Sequence, residues 1–270
     1  MSQWLIEAGL YVGLALLAFA LFHSPRPWLR RAGNILLIGA SGLALWFWTS
    51  SLWWVALGVS LWFLVPMIQA AWLSRKLTFA VKRKLSQGSI REEDFPGINQ
   101  LTYQLKQFDF KLEGEYWLKP SPLKQGYRLF SDLENSLYAA LAVIRFGGAS
   151  LIYMIFATPA RNKAVWLTWD YPLAYGLRMP PHIMLHRCLE ANSVKELCEQ
   201  HRKFLSINKV KPAKAKSAKN FFEKLFAATI DHNLHAGILG QSPRQEEKIS
   251  YTWRGTAFVA WQVLCEVVKG

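Results

Sequence analysis

From Ser51 to Leu73 the chain reads SLWWVALGVSLWFLVPMIQAAWL, with no charged side chain in the whole stretch. A hydrocarbon core of about 30 Å takes roughly 20 apolar residues in helical form. The stretch is long enough to cross one, and Arg75, Lys76, Lys82, Arg83 and Lys84 follow it closely. Two further apolar runs precede it. Residues 4–22 hold a single charge, Glu7, placed near one end, where a carboxylate reaches the interface. No Lys or Arg stands before this run, so it lacks the basic start of a secretory signal peptide. Residues 35–48 form the second run and meet Thr49-Ser50-Ser51, a polar break. Forty apolar residues exceed what one crossing needs, so two helices joined by a tight turn explain them better. Trp46, Trp48, Trp53 and Trp54 flank that turn, as in an interfacial aromatic belt. Three transmembrane helices are expected, at about 4–22, 34–49 and 52–73, within a membrane region 1–74.

Charge orients them. Residues 1–90 carry 8 basic and 1 acidic side chains, residues 91–210 carry 15 and 12, and residues 211–270 carry 9 and 5. The basic excess gathers beside the membrane. Arg26, Arg30 and Arg31 lie between the first two runs, and the turn between the second and third has no charge. Positive loops stay on the cytoplasmic side, so the N-terminus is expected outside and the remainder of the chain in the cytoplasm. A nucleic-acid-binding domain would carry a basic stripe, and the nearly balanced centre disfavours it. Three cysteines, Cys188, Cys198 and Cys265, are too few and too odd for a disulfide framework and suit a reducing compartment.

After a polar connector at 75–93, residues 94–208 read as one α+β domain. Ile98, Leu101, Leu105 and Phe108 share a helical face behind Asp94 and Pro96. Strand-like runs follow at 108–113, 116–118, 127–130, 137–145, 151–158 and 165–169, with an edge strand at 182–189. Ser136 to Pro159 is apolar enough to rival a fourth span. Arg145 would then sit near mid-membrane at a cost of about 2.5–3.5 kcal/mol, and Gly147-Gly148 suggests two buried strands and a turn instead. Short Gly- and Pro-bearing connections favour an antiparallel sheet flanked by helices. Ser193-Val194-Lys195-Glu196 is a capping box opening a helix whose stripe is Val194, Leu197, Cys198, His201, Phe204 and Leu205. Residues 209–220, rich in Lys, Ala and Pro, read as an exposed linker, and 221–270 as a helical tail with paired short strands near 238 and 249–253. The last helix of that tail, 255–268, is apolar and poor in charge, so it is expected to pack on the domain rather than lie in the membrane interface.

Chemistry is harder to find. His186, Cys188, Cys198 and His201 are the candidate metal ligands, but they lack the two tight ligand pairs of a structural zinc site, and His201 lies on an apolar stripe. Core packing is the preferred reading, and no metal is assigned. His232 and His235 form a sparser set. There is no Gly-x-Ser-x-Gly, Walker or Gly-x-Gly-x-x-Gly motif, so no cofactor is expected. Asp170 ends a strand before a loop carrying Tyr171, Tyr175, Arg178 and His182. A carboxylate, an arginine and an imidazole in a sheet-end loop make Asp170, Arg178 and His182 the catalytic candidates, weighed against an ordinary turn-forming Asp. The expected function is a membrane-anchored, non-enzymatic interaction or ligand-sensing module, with membrane lipid and a protein as partners. The alternative is a membrane-tethered hydrolase or transferase using the Asp170–His182 region.

Overall fold

The computed structural model of the chain describes every residue except 1–2, 24–26, 81–83, 120–123, 133, 135, 147–148, 173–175, 192, 215–216, 243–244 and 270. The chain divides into two compact units, Met1–Arg75 with Thr256–Gly270, and Lys76–Gly255.

The first unit contains α1 (Gln3–Phe22), α2 (Pro27–Thr49) and α3 (Leu52–Lys76). Ser50, at φ 50°, makes the tight turn between α2 and α3. Gly58 allows those two helices to close up, because a Cβ there would run into the Leu45 side chain. Among the described residues two helical segments, Ala32–Thr49 and Leu52–Lys76, are long and apolar enough to cross a membrane. The expected third crossing lacks that support: within α1 the described apolar stretch is the shorter Tyr11–Leu21.

The second unit is an α+β fold built on a seven-stranded sheet. Its strands are β2 (Lys84–Gln87), β3 (Lys111–Lys119), β4 (Lys124–Asp132), β5 (Leu137–Phe146), β6 (Ala149–Pro159), β7 (Val165–Trp169) and β8 (Ile183–Arg187), in that spatial order. The stretch 136–159 forms the β5–β6 hairpin rather than a span, with Arg145 paired across to Ser150. The sheet is mixed, which corrects the antiparallel expectation. β7 and β8 are parallel, with Val165 opposite Ile183 and Trp169 opposite Arg187. Residues 170–182 are long enough to carry the chain back to the start of β7, where a hairpin would have reversed it.

Period-two alternation splits the sheet's side chains between two layers. Leu137, Ala139, Leu141 and Val143 of β5 join Met154 and Phe156 under α4 (Ile98–Gln107) and α5 (Val194–Ile207). Tyr138, Ala140 and Ala142 join Tyr127, Leu129, Tyr153 and Ile155 under α6 (Ala218–His235). The Ser193 side chain accepts from the Glu196 amide at 3.2 Å and caps α5. At α4 the cap comes from further upstream. Gly97 has no side chain to offer, and Glu92 accepts from the Gly97 and Asn99 amides at 2.6 and 2.9 Å.

Residues 209–214 run against the end of β6. Arg161 donates its amide to Lys211 at 3.0 Å, and Ala213 donates to Pro159 at 2.8 Å. This strap takes the chain from α5 on one face to α6 on the other.

The C-terminal region holds the expected pair of short strands. β9 (Leu239–Ser242) and β10 (Gln245–Tyr251) pair with β1 (Thr78–Ala80) in a separate sheet of order β1-β10-β9, followed by α7 (Trp253–Lys269). β1 and β2 fall inside the segment read from sequence as a polar connector.

Candidate functional site

The parallel pair decides what can meet what. Because β8 runs alongside β7, His182 lies beside Val165, whose amide donates to the His182 carbonyl at 2.8 Å. Asp170 follows the opposite end of β7, roughly 16 Å away at the rise of a parallel strand. Arg178 goes elsewhere again. Its backbone is clasped by Asn233 of α6, which accepts from the Arg178 amide and donates to the Arg178 carbonyl, both at 2.8 Å, while the Arg178 side chain is exposed. Asp170, Arg178 and His182 are therefore not brought together. Tyr175 lies outside the described residues.

What gathers at the Asp170 end is Tyr171 and, from β8, Arg187 and Cys188. The Cys188 amide donates to the Trp169 carbonyl at 2.9 Å, and an Arg187 guanidinium nitrogen lies 3.4 Å from the Tyr171 carbonyl. Alternation puts Asp170 on the α5 face with Thr168, while Tyr171 packs with Tyr153 on the α6 face at 4.8 Å between ring centroids. Asp170 Oδ1 accepts from the Met154 amide at 2.6 Å, so its carboxylate extends the β6–β7 ladder by one rung. Burial pushes the carboxyl up to about 6, with that hydrogen bond pulling the other way. Burial also raises Tyr171, partly offset by Arg187. The Cys188 thiol is raised by burial and then by the Asp170 and Glu196 carboxylates. A thiol held up is the reverse of an activated nucleophile.

The candidate metal residues serve the core. His201 is fully buried on α5, with Thr158 Oγ1 3.0 Å from Nε2 and Thr168 Oγ1 2.8 Å from Nδ1. A neutral imidazole has one donor and one acceptor nitrogen, and the two threonines use both. Burial, then the neighbouring His186 and Arg202, lowers His201 to about 3, so the ring stays neutral. His186 stacks on Phe204 at 5.1 Å, and Cys198 is buried under the sheet. Among the described residues no three His, Cys, Asp or Glu side chains stand where they could share a metal ion.

A second polar centre went unseen in the sequence. Arg128 of β4 is buried and ion-paired to Glu115 of β3 at 2.7 Å. It also donates to Asn99 at 2.9 Å, Thr102 at 2.6 Å and the Ile90 carbonyl at 3.1 Å. The other Glu115 oxygen accepts from the Ile90 amide at 2.6 Å. An open depression of about 550 Å³, lined by Gln87, Gly88, Ser89 and Glu115, lies beside this network. Both Glu115 oxygens are occupied, one by Arg128 and one by the Ile90 amide, so the network orders the 88–99 segment rather than presenting a free acid. An Arg and a Glu thirteen residues apart give no sequence signal, because only the β3–β4 register, Glu115 opposite Arg128, pairs them.

No protein-family model matches the chain, and neither a curated protein nor a solved structure is detectably similar to it.

Proposed function

We propose that this is an integral protein of a cytoplasmic membrane, anchored by three helices with its N-terminus outside, whose cytoplasmic α+β domain is a non-enzymatic interaction module. The anchor reading draws on the surfaces of α2 and α3. Trp48 and Trp53 are 81% and 86% exposed, Ile35, Leu52, Ile68 and Trp72 are exposed with them, and α3 buries only Ser74. Apolar surface on that scale belongs in lipid.

The observation that carries the module reading is the open edge of β8. Among the described residues β8 pairs with β7 alone. The bonds Val165 to His182 and Cys188 to Trp169 fix which amides of β8 turn inward, and the Leu185 backbone faces away from β7. Exposed Met184 and Leu189 flank that edge, which ends at the Asp170–Arg187 cluster. An extended peptide can add there as a strand, with the cluster reading its end. The test is purification of the full chain from membranes in mild detergent, followed by mass spectrometry. A stoichiometric partner present with the wild type and lost with Leu185→Pro, at unchanged melting temperature, supports the module. A partner retained by that variant, or none at all, refutes it.

One observation favours the enzymatic alternative. A carboxyl near 6 lies in the range where general acid–base catalysis works at neutral pH. That reading requires Asp170→Asn to abolish a measurable hydrolase or transferase activity while the fold persists.

A further inference from the structure

α7 starts where α3 ends. β1 and β10 are antiparallel with Thr78 opposite Ser250, so the chain leaving α3 at Lys76 and the chain approaching α7 at Trp253 emerge side by side from one end of the three-stranded sheet. Strand spacing there is about 5 Å. The start of α7 is also fixed firmly to that sheet. Thr252 Oγ1 accepts from the Gly255 amide at 3.0 Å and donates to the Gly237 carbonyl at 2.6 Å, capping the helix. Gly255 lies against the Ile238 carbonyl, where a Cβ would collide with backbone. If α3 leaves the bilayer at Arg75 and Lys76, α7 begins at the same membrane surface.

The helix has the composition for that position. At 100° per residue, Trp253, Ala257, Trp261 and Leu264 fall within one apolar stripe. Trp253 and Trp261 are 78% and 60% exposed, whereas Gly255 on the other side is buried. Seventeen residues give about 25 Å of helix, short of a hydrocarbon core. Residues 256–270, Trp261 among them, belong to the same compact unit as α1–α3. Exposed Lys76 and Arg254 stand in the two chain segments at this end of the sheet, with exposed Arg75 next in sequence, and basic side chains there complement anionic headgroups.

We infer that α7 is a second membrane attachment, lying in the headgroup–acyl boundary of an anionic bilayer with its Trp253–Trp261 face in lipid. The inference rests on the reading of α3 as a span. It turns the three-stranded sheet into a clamp that holds the end of the anchor and the start of the surface helix together, so the domain is fixed to the membrane at two points.

The experiment uses the full chain in nanodiscs of three parts phosphatidylcholine to one part phosphatidylglycerol. Cys188, Cys198 and Cys265 are replaced by alanine, and single cysteines at Trp261, at Trp62 in α3 and at exposed Lys203 in α5 carry an environment-sensitive fluorophore. Lipid with a shallow nitroxide at acyl carbon 5 is expected to quench positions 62 and 261 about twofold or more and to leave 203 unchanged. Quenching at 62 with 261 behaving like 203 overturns the α7 attachment and leaves the span reading standing. No quenching at 62 removes the span and the inference built on it. Stronger quenching of 261 by a nitroxide at carbon 12 makes α7 a span, and quenching blocked by cross-linking of 261 to a second copy makes that copy the occupant; either result overturns the inference. A measurement that keeps the natural cysteines guards against misfolding. Trypsin in proteoliposomes should cut after Arg254 at least about tenfold faster in the Trp253→Glu/Trp261→Glu variant than in the wild type, because only the wild type buries that turn in the interface. Equal rates overturn the attachment.

Discussion

Burial moves His201 and Asp170 in opposite senses, and the two oppose each other across one pH window. His201 drops from an ordinary 6.5 to about 3. Below pH 6.5 the unfolded chain gains a proton that the folded chain refuses, so stability is lost as the pH falls, by about 2 kcal/mol at pH 5. Asp170 rises from 3.8 to about 6. Between those values the folded chain keeps a proton that the unfolded chain gives up, so this contribution favours folding in acid and is lost as the pH rises through 6. Removing one group should expose the other. Asp170→Asn still accepts the Met154 amide but no longer offsets His201, so its melting temperature should fall more steeply than that of the wild type between pH 7.5 and 5. Parallel melting profiles would contradict the assignment. His201→Ala strips both Thr158 and Thr168 of their partner and opens a cavity, so it should cost about 3–5 kcal/mol in denaturant unfolding at pH 7.5. A loss under 1 kcal/mol would mean that the threonines find other partners. The core position of His201 was legible from the 194–205 stripe. Its partners were not, because Thr158 and Thr168 reach it only through strand register.

Elements fixed by local rules were the ones legible in sequence. The Ser193 cap, the β5–β6 hairpin and the strand at 165–169 follow from capping and apolar runs. The parallel approach of β8, the joining of β1 to β10 and the site they shape depend on which distant edges meet, and no period encodes that. The Asp170–Arg178–His182 grouping failed for this reason: a loop length does not tell a hairpin from a crossover. The structure replaces it with a clasp. Asn233 is fully buried and bonds both backbone groups of Arg178 as well as the Thr229 carbonyl at 2.7 Å. It ties α6 to the crossover that sets β8 parallel. Asn233→Ala should cost about 2–3 kcal/mol and raise hydrogen exchange across 176–182 while leaving β4–β6 protected. Exchange rising uniformly through the domain would mean that the crossover is held by something other than this amide.

For the whole molecule, charge and register give independent constraints on one arrangement. In the proposed orientation Arg75 and Lys76 put the end of α3 on the cytoplasmic side, and the β1–β10 pair brings the start of α7 beside it. On the proposed attachment of α7, the segment from Lys76 to Gly255 leaves the membrane surface and returns to it. The proposed orientation predicts the sidedness of every cysteine. The natural Cys188, Cys198 and Cys265 all fall on the cytoplasmic side, so the wild-type chain should resist a membrane-impermeant maleimide in intact cells and react at the half-exposed Cys188 only after lysis. Ser50→Cys, in the charge-free turn between α2 and α3, should be labelled from outside, and so should Ser2→Cys, while Ser24→Cys should not. The pair at 2 and 24 isolates α1. If both react on the same side, α1 does not cross, and the anchor consists of α2 and α3 alone, the two helices whose described residues are long and apolar enough by themselves. With two crossings α3 still ends at Arg75 and Lys76, so the clamp and the cytoplasmic domain stay where they are. Labelling of the wild-type chain in intact cells would reverse the orientation and remove the cytoplasmic partner with it.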